Sequence, residues 1–152
     1  MLMILGDQKY MRLAIELAKK AYVCGEVPIG AVIVAPDGNV LGAGYNFVEK
    51  EKSSLEHAEV RAIREAQKVL GDWRLDQCTI YVTLEPCIMC LGAVLLARIE
   101  RLVYSCESPI YGYKKAIDSE DLLYGGFLKN VTAGVLKGEA ELLLESFFLG
   151  RR

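Results

Sequence analysis

The chain has 152 residues, 53% of them hydrophobic and 25% charged, with 18 Lys and Arg against 20 Asp and Glu for a net charge of -2. That length suits one domain, residues 1–152, with a sizeable core. The charge excludes a global field that would attract nucleic acid, so an RNA or DNA partner has to be met by a local basic patch. No run of about 18 apolar residues is present to span a membrane, and Met1-Leu2-Met3-Ile4-Leu5 is too short and lacks the basic lead-in of a signal-peptide core. Five cysteines, odd in number and including one pair at ligand spacing, point to a reducing, cytoplasmic compartment and not to a disulfide framework.

Asp7 is placed to cap a helix reaching about Val23, with Met11, Ala14, Ile15, Ala18, Ala21 and Tyr22 as its apolar stripe and Gly25 as its stop. Ile29 to Ala35 is a nearly continuous apolar run, a strand buried on both faces. Pro36-Asp37-Gly38-Asn39 turns the chain, and Val40 to Tyr45 returns as the antiparallel partner. Gly42 and Gly44 mark that second strand as an edge or a bulge. Asn46 to Ser54 reads as a loop, and Ser53 or Ser54 as the cap of a helix that ends at Leu70 before Gly71.

Cys78 to Leu84 is a third, β-branched strand. Pro86 ends it and opens a helix to about Ala97, apolar on nearly every side, as expected of a central helix or one at a subunit interface. Arg101 to Cys106 is a fourth strand, and Val131 to Leu136 a fifth. A short helix is expected near Ser119 to Tyr124, and Lys137 to Leu149 closes the chain as an amphipathic helix. Strands alternating with helices give an α/β domain, with ligands expected where helices begin at the strand ends.

The chemistry is concentrated in two short stretches. Cys87 and Cys90, three apart at a helix start, lie on one face in a field that favours thiolates, and two thiolates make half of a zinc site. The remaining ligand is expected to be a nitrogen, and His57 is the only histidine in the chain. Three ligands leave a fourth position for water, whose pKa zinc lowers toward about 7. Glu59, two residues past His57, is then placed to take and return a proton. Two plainer readings stand beside this one. Cys-x-x-Cys also serves as a redox pair, although such a pair needs no His-x-Glu elsewhere. A purely structural site would recruit Cys24, Cys78 or Cys106 as a fourth ligand.

His57-Ala58-Glu59 followed by Pro86-Cys87-Ile88-Met89-Cys90 resembles the zinc nucleobase deaminases, the cytidine deaminase-like superfamily. Within it the chain looks most like the bacterial tRNA-specific adenosine deaminases. Glu26-Val27-Pro28-Ile29-Gly30-Ala31, Gly44-Tyr45-Asn46, Tyr81 to Cys90, Arg98-Ile99-Glu100-Arg101 and Leu143-Leu144-Glu145-Ser146-Phe147-Phe148 carry that likeness over most of the chain. The resemblance implies a three-layer α/β/α sandwich around a five-stranded mixed sheet, one zinc per subunit, and a homodimer. It implies that His57, Cys87 and Cys90 bind zinc, that Glu59 is catalytic, that Asn46 holds the base edge, and that the backbone at Ala58 and Pro86 contacts the reacting base. Asn46 equally suits the turn after its strand. The implied reaction converts adenosine to inosine in a tRNA anticodon loop. The alternatives are a free guanine or cytosine nucleobase or nucleoside as substrate, or a non-catalytic zinc-stabilised partner subunit.

Two stretches depart from the family pattern. Lys52-Ser53-Ser54-Leu55-Glu56 stands where relatives carry Asp-Pro-Thr-Ala, and Ser108-Pro109-Ile110-Tyr111-Gly112 where tRNA enzymes carry Asp-x-Lys-x-Gly. Lys114, Lys115, Lys129, Arg151 and Arg152 are the cations available for a local patch.

Overall fold

A computed structural model describes residues 2–117 and 126–151. Five strands form one mixed sheet in the order β2-β1-β3-β4-β5: β1 (Gly30–Val34), β2 (Val40–Tyr45), β3 (Thr79–Leu84), β4 (Arg101–Cys106) and β5 (Asn130–Ala133). β1 is antiparallel to both β2 and β3, whereas β3, β4 and β5 run parallel. The direction of the far-edge strand, which periodicity leaves open, is thereby fixed.

Helices α1 (Leu2–Val23) and α5 (Lys137–Leu149) cover one face, and α3 (Ala58–Leu70) and α4 (Ile88–Leu96) the other. The strands serve both layers by strict alternation. Val32, Tyr81 and Val103 face α1, while Ala31, Ile33, Ile80, Val82, Leu102 and Tyr104 point into the α3/α4 layer. β1 is buried at every position, as its unbroken apolar run requires. β2 is an edge strand, and its register shifts opposite Ile33/Val34 of β1, where Leu41 is the extra residue. Its glycines have a further reason: a Cβ on Gly42 or Gly44 would strike the backbone of α3 at Ala62 or Ala58. They let the first turns of α3 sit directly on the strand.

Five expectations need correction. The fifth strand is Asn130–Ala133 and does not reach Leu136, which is the N-cap of α5 in the left-handed region at φ 53°. Asp7 does not cap α1, which begins at Leu2; Asp7 is buried within it, held by the Tyr81 hydroxyl and by Arg101. Tyr22 is not on the buried stripe but at its margin, edge-on to Phe147. The 46–54 loop contains a short helix, α2 (Val48–Glu51), whose Glu49 and Lys50 N–H groups donate to the buried carboxylate of Glu26 at 3.1 and 2.7 Å. Neither Ser53 nor Ser54 caps α3, because His57 does. The helix expected near Ser119 to Tyr124 lies outside the described residues; a 3-10 turn at Tyr113–Lys115 precedes it.

Candidate metal centre

β2 and β3 run in the same direction, separated by the antiparallel β1. The helices that follow them, α3 and α4, therefore start at the same end of the sheet, above the strands' carboxyl ends. His57 and Cys87 are the N-cap residues of these two helices, both extended, with φ/ψ of -74/153° and -72/171°. An N-cap side chain ordinarily turns back to accept from its own helix. Neither of these does; each turns toward the other.

His57 Nδ1 lies 3.6 Å from Cys87 Sγ and 3.4 Å from Cys90 Sγ, although 30 and 33 residues separate them in sequence. Two ligands on one tetrahedral zinc, at about 2.3 Å for sulfur and about 2.0–2.1 Å for nitrogen, stand about 3.6 Å apart. All three donor atoms fall within 4.8 Å of one another, and among the described residues no further His, Cys, Asp or Glu joins the group. The structural-site alternative therefore loses its fourth ligand: Cys78 and Cys106 are buried elsewhere, with Cys106 Sγ on the Thr83 carbonyl oxygen, and Cys24 is not in the cluster. A three-donor set with the spacing of tetrahedral edges fits zinc with one corner left over.

Glu59 is in the first turn of α3 and buried. Burial pushes its carboxyl above the usual carboxylate range, against the pull of Cys90, its own backbone N–H and His57. Cys87 is pulled down to about 4, its sulfur accepting from Cys90 and then from His57, and Cys90 is pushed up as the donor. His57 is raised by its bond to Cys87, partly offset by desolvation. Without a cation, the Cys87 sulfur is held by hydrogen bonds from Cys90 and His57.

The remaining predicted residues gather at the same end. Phe47 N–H donates to the Glu56 carbonyl oxygen at 3.0 Å, which sets Asn46 close to His57, and Asn46 is itself buried. Glu56 is fixed in turn by Arg61 at 2.9 Å and Arg64 at 3.2 Å. Ala58 and Pro86 are buried beside the two ligand helices, and the Pro86 carbonyl oxygen already accepts from Tyr113 N–H at 3.0 Å. Sequence reading passed over two residues here. Glu26 organises the α2 side of the rim and Glu85 the opposite side, both through buried carboxylates that accept backbone N–H groups. Of the cations available for a local patch, Lys114 and Lys129 lie apart. Lys114 pairs with Glu107 at the carboxyl end of β4, whereas Lys129 pairs with Glu100 at the other end. Arg151 donates to the Gly25 carbonyl oxygen, and Arg152 lies outside the described residues.

A family model for the zinc-binding region of cytidine and deoxycytidylate deaminases matches residues 5–106. The chain is 44% identical over 145 residues to the tRNA-specific adenosine deaminase of Bacillus subtilis (strain 168), covering 93% of this chain and 88% of that one. A solved structure from a study of A-to-I editing by tRNA:A34 deaminases at the wobble position superposes with a TM-score of 0.79 at 36% identity, covering 90% of this chain and 99% of the other. A second, from work on guanine deaminase of Nitrosomonas europaea, gives a TM-score of 0.81 at 25% identity, covering 92% and 83%. The matched span holds His57, Glu59, Cys87 and Cys90 in the geometry just described, and the chain belongs to the cytidine and deoxycytidylate deaminase family of zinc-binding proteins.

Proposed function

We propose that this protein is a zinc-dependent hydrolase that deaminates adenosine to inosine at the wobble position of tRNA. The observation that carries the chemistry is the three-donor group of His57, Cys87 and Cys90 beside the buried carboxyl of Glu59. The likeness to tRNA-specific adenosine deaminases supports the substrate. In this reading His57, Cys87 and Cys90 hold zinc, which when bound supplies a Lewis acid that makes hydroxide available near neutral pH.

The chain's own residues do the rest. Glu59, with its pKa raised by burial, takes one proton from the attacking water and gives it to the ring nitrogen, then takes the proton of the added hydroxyl and gives it to the exocyclic amine, which leaves as ammonia. Asn46 orients the base edge, and the backbone at Ala58 and Pro86 borders the reacting carbon and its amine. Burial of all three supports a closed, water-poor pocket floor. We take the 152 residues to act as a single deaminase domain in the cytoplasm, a reading supported by five free thiols. No helix among the described residues is long and apolar enough to cross a membrane.

A homodimer belongs to the same proposal. α4 leaves Ile88 54% and Leu96 64% exposed on a helix with no charged residue. A partner subunit would bury that face. Light scattering at micromolar concentration is expected to give twice the chain mass; a monomer would refute it.

The substrate is tested by incubating purified protein with total tRNA and, separately, with free bases and nucleosides, and measuring ammonia and inosine. Inosine in tRNA is the expected result. The likeness to a guanine deaminase favours one competing outcome, ammonia from free guanine with no inosine in tRNA, and that result would replace adenosine in tRNA as the substrate.

A further inference from the structure

The turn from β3 into α4 consists of Glu85, Pro86 and Cys87. It decides where one sulfur of the metal centre points, because Cys87 is the N-cap of α4 and its side chain makes no bond to its own helix. Such a side chain takes its direction from the backbone that precedes it. Cys90, one turn further on, is placed by the helix itself.

The backbone before Cys87 is tied down at both residues. Glu85 N–H donates to the Cys106 carbonyl oxygen at 2.8 Å, and Tyr113 N–H donates to the Pro86 carbonyl oxygen at 3.0 Å. The Glu85 side chain adds a third anchor. It is buried, and its two oxygens are used separately: Oε1 accepts from Ser108 N–H at 3.2 Å and Oε2 from Lys114 N–H at 3.1 Å. A buried carboxylate demands donors in place of its lost hydration, so neither N–H can move away cheaply. Gly112 closes the third side. Its φ/ψ of -60/139° suits any residue, yet a Cβ there would collide with the Glu85 carboxylate. Glycine stands at this position for space and not for conformation.

Resting on the zinc reading above, we propose that Glu85 is a positioning residue for the metal centre. Its carboxylate fixes the β3–α4 turn so that Cys87 Sγ meets His57 Nδ1 at 3.6 Å, the spacing of two ligands on one zinc. Glu85 itself holds no metal and acts through the peptide units that join it to Cys87. Groups that orient metal ligands are worth about 10–100-fold in metal affinity.

The test is competition for zinc between the protein and a chromogenic chelator, on variants stripped of metal and shown by far-UV circular dichroism to remain folded. Glu85→Gln keeps the size of the side chain but offers one oxygen to two N–H donors. It is expected to weaken zinc binding about tenfold or more. Gly112→Ala presses on the same carboxylate from the loop side without changing any charge, and is expected to weaken zinc by a similar factor. Asp7→Ala, which loosens the opposite face of the sheet, is expected to leave zinc affinity within about twofold. Wild-type affinity in Glu85→Gln would overturn the proposal, as would an equal loss in Asp7→Ala, which would make the effect one of general loosening. Should Glu85→Gln fail to fold, wild-type affinity in Gly112→Ala overturns it instead. Wild-type protein that binds no stoichiometric zinc would sink the metal reading first, and that measurement precedes every substitution.

Discussion

Two buried polar clusters lie on opposite faces of the sheet, and they are built on opposite terms. On the α1 face, Asp7 receives both Arg101 guanidinium nitrogens at 2.7 Å and the Tyr81 hydroxyl at 2.8 Å, while Arg101 also reaches Thr132 at 3.1 Å. Charge meets charge, and each donor has an acceptor. On the α3/α4 face, His57, Cys87, Cys90 and Glu59 bring together four groups whose partners are only one another, with no Arg or Lys among them. The first cluster is complete without a ligand. The second is complete only with a cation. A buried polar group is costly unless it is satisfied, so a cluster left open by the chain itself has its stabilising partner elsewhere.

The sharpest way to break that contrast is at the open cluster. Cys90→Ala is expected to abolish stoichiometric zinc and turnover together, by elemental analysis and ammonia release. Glu59→Gln is expected to keep zinc yet lose about 10²–10⁴-fold in kcat; full activity in that variant would remove Glu59 from the chemistry. The closed cluster should respond in stability alone. Asp7→Ala leaves Arg101, largely buried, without its counter-charge and is expected to cost about 3–5 kcal/mol in urea unfolding. Its zinc content and kcat at 25 °C should be unchanged. Tyr81→Phe, which deletes one hydrogen bond to a charged group, is expected to cost about 1.5–3 kcal/mol.

A titration sharpens the comparison further. In protein stripped of metal, Cys87 at about 4 stays a thiolate as pH falls from 8 to 5, and loses that form only as pH drops through about 4. Its alkylation by iodoacetamide should therefore be nearly flat over that range, then decline. Cys106, pushed up to about 11 by burial, should resist the reagent throughout. Zinc should protect Cys87 at every pH where it remains bound.

Most of the frame was legible because its signals are local. Gly71 ends α3 in the left-handed region at φ 72°, β2 and β4 have the limits their patterning gave, and α5 runs from Lys137 to Leu149 as expected. The metal ligands were legible because Cys-x-x-Cys and His-x-Glu fix their geometry through short spacings. The misread acids share one cause: a side chain whose partner is distant in sequence. Asp7 resembles any helix cap until Arg101, 94 residues on, arrives beside it. Glu26 and Glu85 look like surface carboxylates, yet each is buried by a segment more than 20 residues away. Ser53 looks like a cap, but its hydroxyl accepts from Leu55 N–H within a turn, and the cap passes to His57.

His57 and the cysteine pair sit on either side of the turn after Gly71 and on different βα units, one behind β2 and the other behind β3. A protein nicked in that turn would be left as two pieces, each carrying an incomplete coordination set. Rejoining them would then depend on the ion as well as on the sheet, which makes the metal a fastener between halves of the molecule and not just a reagent held by it.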